Sequence, residues 1–169
     1  IFETLSGDLF VSIEKGMYKM DFPARMPVLD ILPTIILNSL NLKPKEVYKS
    51  RDYLLVYENE TEIRNIHLDR QLFDQINLET GGVIVSAIGD NCDFVSRFFT
   101  PQASILEDPV TGSAHCSLIP FWARRLNKKE LNAQQVSERL GMLYCEDKGD
   151  RVIICGKAKT YSIGNFWIE

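Results

Sequence analysis

The sequence is poor in the residues that build metal sites and grip phosphate backbones. Only two histidines occur, His67 and His115, and the four cysteines, Cys92, Cys116, Cys145 and Cys155, form no C-x-x-C pair. A zinc site with the usual ligand spacing cannot be built from them, and no metal is expected. An excess of positive charge is also missing: 19 Lys and Arg stand against 23 Asp and Glu, a formal net charge of -4. That balance excludes a broad basic face, so no nucleic acid is expected as a partner. The one basic cluster, Arg124, Arg125, Lys128 and Lys129, reads as a solvated helix end, which the helix dipole favours. No apolar run reaches the ~18 residues of a membrane span, so no membrane is expected either. Cysteine is too sparse in 169 residues for a disulfide scaffold, and reduced thiols in a cytoplasm are the expectation. A leader pattern is absent, and Ile1 opens the chain directly in a strand-like run; this sets the expectation of a missing N-terminal part.

What is present is material for a core. The chain is 45% apolar, enough for one globular domain, or one domain with part of another, without covalent staples. Three short strands are expected first, over Ile1 to Leu5, Leu9 to Glu14 and Met17 to Phe22. Ser6-Gly7-Asp8 and Lys15-Gly16 are their turns, glycine supplying the positive φ of tight hairpins. Pro23 and Pro27 suggest a linker. A helix over Leu32 to Leu40 is expected, with Asp30 as its cap and Pro33 in its first turn. Strands follow at Glu46 to Lys49 and Tyr53 to Glu58, a short helix at Asp69 to Ile76, and strands at Gly82 to Ile88 and Phe94 to Thr100. After a loop and a helix come strands at Gln134 to Ser137, Gly141 to Cys145, Arg151 to Cys155 and Lys159 to Ile168, with a turn at Lys148-Gly149-Asp150.

The helix expected from Ser113 to Leu126 is apolar around nearly its whole circumference: Ala114, Cys116, Leu118, Ile119, Phe121, Trp122 and Ala123. Such a helix must be buried all round. The economical arrangement is an α+β fold in which antiparallel sheet curves into a barrel around it. Pro120 is expected to bend the helix or leave one carbonyl in its middle without a partner.

The loop before this helix carries the candidate chemistry. Glu107 to His115 reads Glu-Asp-Pro-Val-Thr-Gly-Ser-Ala-His. The first N–H groups of a helix have no intrahelical partners, and the dipole favours an anion there. Gly112 lets a ligand approach the backbone, and Ser113 adds a hydroxyl. A carboxylate or phosphate would fit, with Asp108 beside it to accept a proton or hold a substrate amine or hydroxyl. Asp108 and Thr111 as simple caps is the other reading, and the residues alone leave both open.

The string from Glu107 through Cys116, preceded by the strand Asp93 to Phe99, resembles the central motif of PhzF-like (phenazine-biosynthesis-like) isomerases. Thr4 to Leu9, Met20 to Ala24 and Gln135 to Arg139 resemble further segments of that family, so the resemblance runs the length of the chain. Leu140 stands where the family often has Gly. The resemblance implies a diaminopimelate-epimerase-like fold of two similar domains, each wrapping sheet around a helix, with a substrate between them. On that basis the chain is a C-terminal portion. Residues 1–18 belong to an otherwise missing first domain, 19–157 form the second, and 158–169 return to the first. It also implies cofactor-free proton transfer, an isomerisation or epimerisation, on a small carboxylate-bearing substrate. Asp108 would be catalytic, and Thr111, Gly112 and Ser113 would bind substrate. The family's first-domain acid/base Glu, in an S-E-T-like motif, and its G-H-A motif are absent; Glu3-Thr4 follows Phe2. The chain alone is therefore expected to be inactive, its partner being the missing domain or another chain, with a homodimer as an option.

Arg97, on the strand before the loop, is expected to pair with Glu107 or Asp108 and orient the loop. His115 is read either as a proton shuttle or as a buried hydrogen-bonding residue. Cys116 is read as a small hydrophobe or as a thiol base. Two rival functions stand beside the isomerase: a non-enzymatic binding module of the same fold, and a thiol-dependent racemase using Cys116.

Overall fold

The computed structural model describes residues 1–5, 7–165 and 167. Among them, strands β1 (Phe2–Thr4), β2 (Gly7–Glu14), β3 (Met17–Pro23) and β4 (Val28–Leu29) precede helix α1 (Thr34–Ser39). Strands β5 (Glu46–Lys49) and β6 (Tyr53–Val56) are followed by the short helices α2 (Glu60–Arg64) and α3 (Arg70–Phe73). Strands β7 (Val83–Ile88), β8 (Phe94–Phe99) and β9 (Glu107–Asp108) lead into α4 (Gly112–Leu126). The hairpins β10 (Glu130–Gln135), β11 (Gly141–Asp147) and β12 (Arg151–Gly156) complete the order.

The strands form one sheet in the order β1-β2-β3-β12-β11-β10-β8-β7-β6-β5-β4, with β9 beside β8. The sheet is mixed, which corrects the antiparallel expectation: β6 runs parallel to β7, and β8 parallel to β10. Both parallel joins have the same cause. Parallel neighbours need a crossover, and helices supply it: α2 and α3 between β6 and β7, α4 between β8 and β10. The sheet is not closed, and the expected barrel is unconfirmed.

The centre of the sheet is buried on both faces. Leu54, Val56, Ile84, Phe94 and Phe98 pack with α4, while Tyr53, Leu55, Val83, Val85, Val95 and Phe99 pack with α1, α2 and α3. This is the two-residue alternation of a strand, with both sets apolar because each face carries a crossover helix. On α4, every residue from Ala114 to Ala123 is buried, as its all-round apolar surface requires. Helix α4 passes through Pro120 without interruption. Proline there leaves the carbonyl of Cys116 without its helical donor, and the backbone N–H of Arg25 supplies one at 2.8 Å. The linker before β4 is thereby tied to the middle of the helix.

Several boundaries differ from the sequence reading. Asp30 does not cap α1: its carboxylate accepts the N–H of Ile31, and the cap position is Pro33. Asp69 does cap α3, accepting from the N–H groups of Gln71 and Leu72. The expected strand from Lys159 is not formed, since the described residues among 159–168 carry no strand. Phe166 and Ile168 lie outside the described residues, as does Ser6 of the first expected turn. Lys15 and Gly16 both have positive φ, 50° and 74°, as a tight hairpin turn demands. Leu140 takes φ 59°, a left-handed conformation that suits glycine better.

Candidate functional site

The loop from β9 into α4 is pinned at both ends. Glu107 and Asp108 pair with Phe99 and Phe98 of β8. Arg97 grips Glu107 through two parallel bonds, Nε and Nη2 each donating to a carboxylate oxygen at 2.8 Å. Its remaining Nη1 donates to the carbonyls of Ile63 and Ile66, at 3.1 and 2.8 Å. The guanidinium is thus committed to holding β9 against α2, and of the two expected partners it takes Glu107 and not Asp108.

At the other end, β10 supplies a clamp. Gln135, fully buried, accepts the N–H of Thr111 at 2.8 Å and donates to the carbonyl of Asp108 at 2.7 Å. Ser137, two residues on, donates to the carbonyl of Pro109 at 2.8 Å. Val110 leans on Gly141 so closely that a Cβ there would lie 2.4 Å from its Cγ2. The sequence reading quoted Gln135 and Ser137 without assigning them a task; their alternate spacing in the strand expected over Gln134 to Ser137 was the available signal, although β10 ends at Gln135.

This clamp leaves the start of α4 bare. Thr111 occupies the N-cap position but makes no side-chain cap bond. Its hydroxyl donates instead to Asp108 Oδ2 at 2.7 Å. Thr111 is buried, and its own N–H is taken by Gln135. The backbone N–H groups of Gly112, Ser113 and Ala114, in the first turn, have no acceptor within the helix. Above Gly112 the space is open: apart from its chain neighbours and the adjoining helix backbone, no atom lies within 4 Å of where a Cβ would stand. Asp108 and Gly112 line a cleft of about 840 Å³ whose apolar wall includes Tyr18, Met20, Val110 and Met142. Asp108 is its sole carboxylate among the described residues; Arg139 and Lys157 also line it.

Behind the first turn of α4 lies a polar set that the sequence reading missed. Arg51 Nη2 donates to Ser113 Oγ at 3.0 Å. The same guanidinium binds both oxygens of Asp52, at distances of 2.8–3.2 Å. The Asp52 side chain is wholly buried and also accepts the N–H of Gly82 at 2.8 Å. One turn along α4, the hydroxyls of Ser50 and Ser117 share a bond of 2.8 Å. The signal was present in sequence: a charged pair directly before the fully buried strand β6 has to be satisfied somewhere.

His115 is 0% exposed, and its Nδ1 lies 2.7 Å from the carbonyl of Thr111. Burial holds its imidazole down at about 4, against the partial opposition of that bond. It does not line the cleft beside Asp108, so the buried hydrogen-bonding reading describes it through Nδ1, while Nε2 is buried without a partner. Cys116 is buried, and burial raises its thiol above the ordinary value even though Arg25 and Arg51 pull the other way. A thiol held protonated is a poor base.

Comparison with known proteins places these features in a family. The family described as "Phenazine biosynthesis-like protein" matches residues 4–164. Two proteins of Pseudomonas aeruginosa, each named an uncharacterized isomerase, are 44% identical over 164 residues and 47% identical over 165; each alignment covers 96% of this chain and 62% of the relative. The crystal structure of a PhzF family protein from Enterococcus faecalis superposes with a TM-score of 0.88 at 42% identity, over 99% of this chain and 64% of that one. The chain therefore spans somewhat under two thirds of the length of these relatives. The expectation of a C-terminal portion is not borne out by these matches, which give extent alone.

Proposed function

The chain belongs to the phenazine biosynthesis-like (PhzC-PhzF) family, and we propose that it is the carboxylate-binding part of a cofactor-independent isomerase. The reaction we assign is proton transfer, an isomerisation or epimerisation, on a small carboxylate-bearing substrate. The observation that carries this reading is the bare start of α4 under an open cleft, with the Thr111 hydroxyl turned away to Asp108. A residue serving only as a cap would spend that hydroxyl on the helix. In this reading the N–H groups of Gly112 and Ser113 hold the substrate carboxylate, each bond contributing on the order of 1.5–3 kcal/mol. Asp108 handles the proton, Thr111 fixes the orientation of Asp108, and Arg97 and Glu107 orient the loop. Residues 19–157 act as the second domain of the family architecture, and 1–18 and 158–169 belong with a first domain that supplies the other acid/base group.

The test is an NMR titration with sodium acetate, following the amides of Gly112 and Ser113. Both resonances should shift along one binding curve. Gly112→Ala should weaken acetate at least ~10-fold, because its methyl enters the open space. Stability should change by less than ~1 kcal/mol, since alanine suits a helix at least as well as glycine. Unmoved amides at high acetate, or an undiminished affinity in Gly112→Ala, would refute the site. Retained acetate binding without any catalysis by the longer relatives would favour the binding-module reading.

A further inference from the structure

We propose that Arg51 and Asp52 are positioning residues that aim the Ser113 hydroxyl at the bound carboxylate; the inference rests on the site reading above. The chain of contacts is short and directional. Asp52 is fixed first: it is fully buried and accepts the N–H of Gly82 at 2.8 Å. Gly82 lies close under the Phe98 ring, where a Cβ would stand 2.4 Å from it. Asp52 then holds Arg51 by both carboxylate oxygens, the planar fork geometry that fixes a guanidinium in orientation as well as place. Arg51 Nη2 donates to Ser113 Oγ at 3.0 Å.

A guanidinium has donors only. Ser113 Oγ therefore accepts from Arg51 and cannot direct its own hydrogen back along that bond. The hydroxyl hydrogen is released to the other side, where the N–H groups of Gly112 and Ser113 begin the helix. A hydroxyl polarised by a cation is also a stronger donor, as bonds in a chain reinforce one another. The site then presents two backbone N–H groups and one aimed O–H to a carboxylate. Lysine could not replace Arg51, for a single ammonium on a flexible stem lacks the fork that satisfies Asp52 and Ser113 in one fixed plane.

The test is a double-mutant cycle on acetate binding to the 169-residue chain, with Arg51→Lys, Ser113→Ala and the pair. Arg51→Lys should weaken acetate by roughly 10-fold in the parent background and by less than about 2-fold when Ser113 is already alanine. A purely structural Arg51 would lower affinity equally in both backgrounds, and that additive result would overturn the proposal. Thermal unfolding of each variant identifies any that fail to fold. A second measurement needs no variant: the Arg51 Nε resonance of the parent chain should move with the Ser113 amide during the titration. An Arg51 signal that stays still while the Gly112 and Ser113 amides move would sink the relay but leave the site standing. Amides that stay still in the parent chain would sink both.

Discussion

A buried imidazole makes this fold sensitive to acid at one residue. An unfolded histidine titrates near 6.5, whereas His115, enclosed against Phe94 and bound to the Thr111 carbonyl, is held at about 4. Between those values the unfolded chain binds a proton that the folded chain does not. Stability from this group is therefore complete above about pH 6.5 and falls as the pH drops toward 4, by on the order of 3 kcal/mol in total. Carboxylates held low by partners, such as Asp93 and Glu46, add acid sensitivity further down, so the difference between variants is the informative quantity. Urea unfolding at pH 7.5 and 4.5 should show a markedly smaller pH dependence in His115→Gln than in the parent. Equal dependence would mean the imidazole is not buried neutral. The role of His115 was open in the sequence because its chemistry permits both readings; only its enclosure by β8 and α4 decides between them. Leu140 shows the reverse case. Its position after Gln135 to Arg139, where the resemblance set glycine against leucine, left the local backbone open, and the residue takes a left-handed φ of 59°.

Helix α4 was the most legible element, and for a physical reason: an apolar surface on all sides has only one stable environment. Its aromatic anchor gives the sharpest stability test. Trp122 is 2% exposed, stacks on Phe94 with ring centroids 5.9 Å apart, and donates Nε1 to Ser86 Oγ at 2.9 Å. Trp122→Ala should cost ~3–5 kcal/mol by chemical denaturation, the range for deleting a fully buried large aromatic; a loss below ~1 kcal/mol would contradict the packing. The free carbonyl made by Pro120 was also legible, but its partner was not. Arg25 sits far off in sequence, and nothing local announces that its N–H reaches Cys116. Weaker elements were lost for lack of apolar signal. Helix α2 offers one buried hydrophobe, Ile63, and is started by Asn59 accepting the N–H of Glu62. Strand β10 was read late, as Gln134 to Ser137, because it alternates Leu131, Ala133 and Gln135 inward, and alanine and glutamine barely register as a core-facing pattern. The same buried Gln135 turned out to clamp the candidate site, so the weak signal hid function as well as structure.

At the scale of the whole molecule, the parallel joins were missed although a helix was read in each crossover, at Asp69 to Ile76 and Ser113 to Leu126, because a helix between two strands permits a parallel join without saying which strands become neighbours. The site motif was legible as a string, since its chemistry is concentrated between Glu107 and Ser113, whereas Arg51, Asp52 and Gln135 reach it only through the fold. On the proposed reading, what the molecule brings together is one side of a reaction. The cleft holds a single carboxylate, Asp108, among the described residues that line it, and the chain spans 62% of its Pseudomonas relatives. Moving a proton from one carbon to another, or inverting a centre, calls for an acid/base group within hydrogen-bond reach of each proton position. Closure of a second wall also excludes water and completes the constellation. The apolar side chains exposed on β1 and β2, among them Phe2, Phe10 and Ile13, are further surface that such a wall could cover. If the second acid/base group belongs to another domain, as proposed, the chain alone should bind carboxylates yet turn over poorly, by ~10²–10⁴-fold for want of that group and by more for the open cleft. Solvent-deuterium incorporation measures this directly. A panel of amino- and hydroxy-carboxylates would be incubated in D₂O with this chain and, in parallel, with the full-length Pseudomonas relative. Compounds labelled by the relative should emerge unlabelled from the chain at equal enzyme and time. If the chain exchanged them as fast, the acid/base group would have to lie within these 169 residues. Asp108→Asn would then abolish the exchange if Asp108 were that group, and would leave it intact if the proton were handled elsewhere.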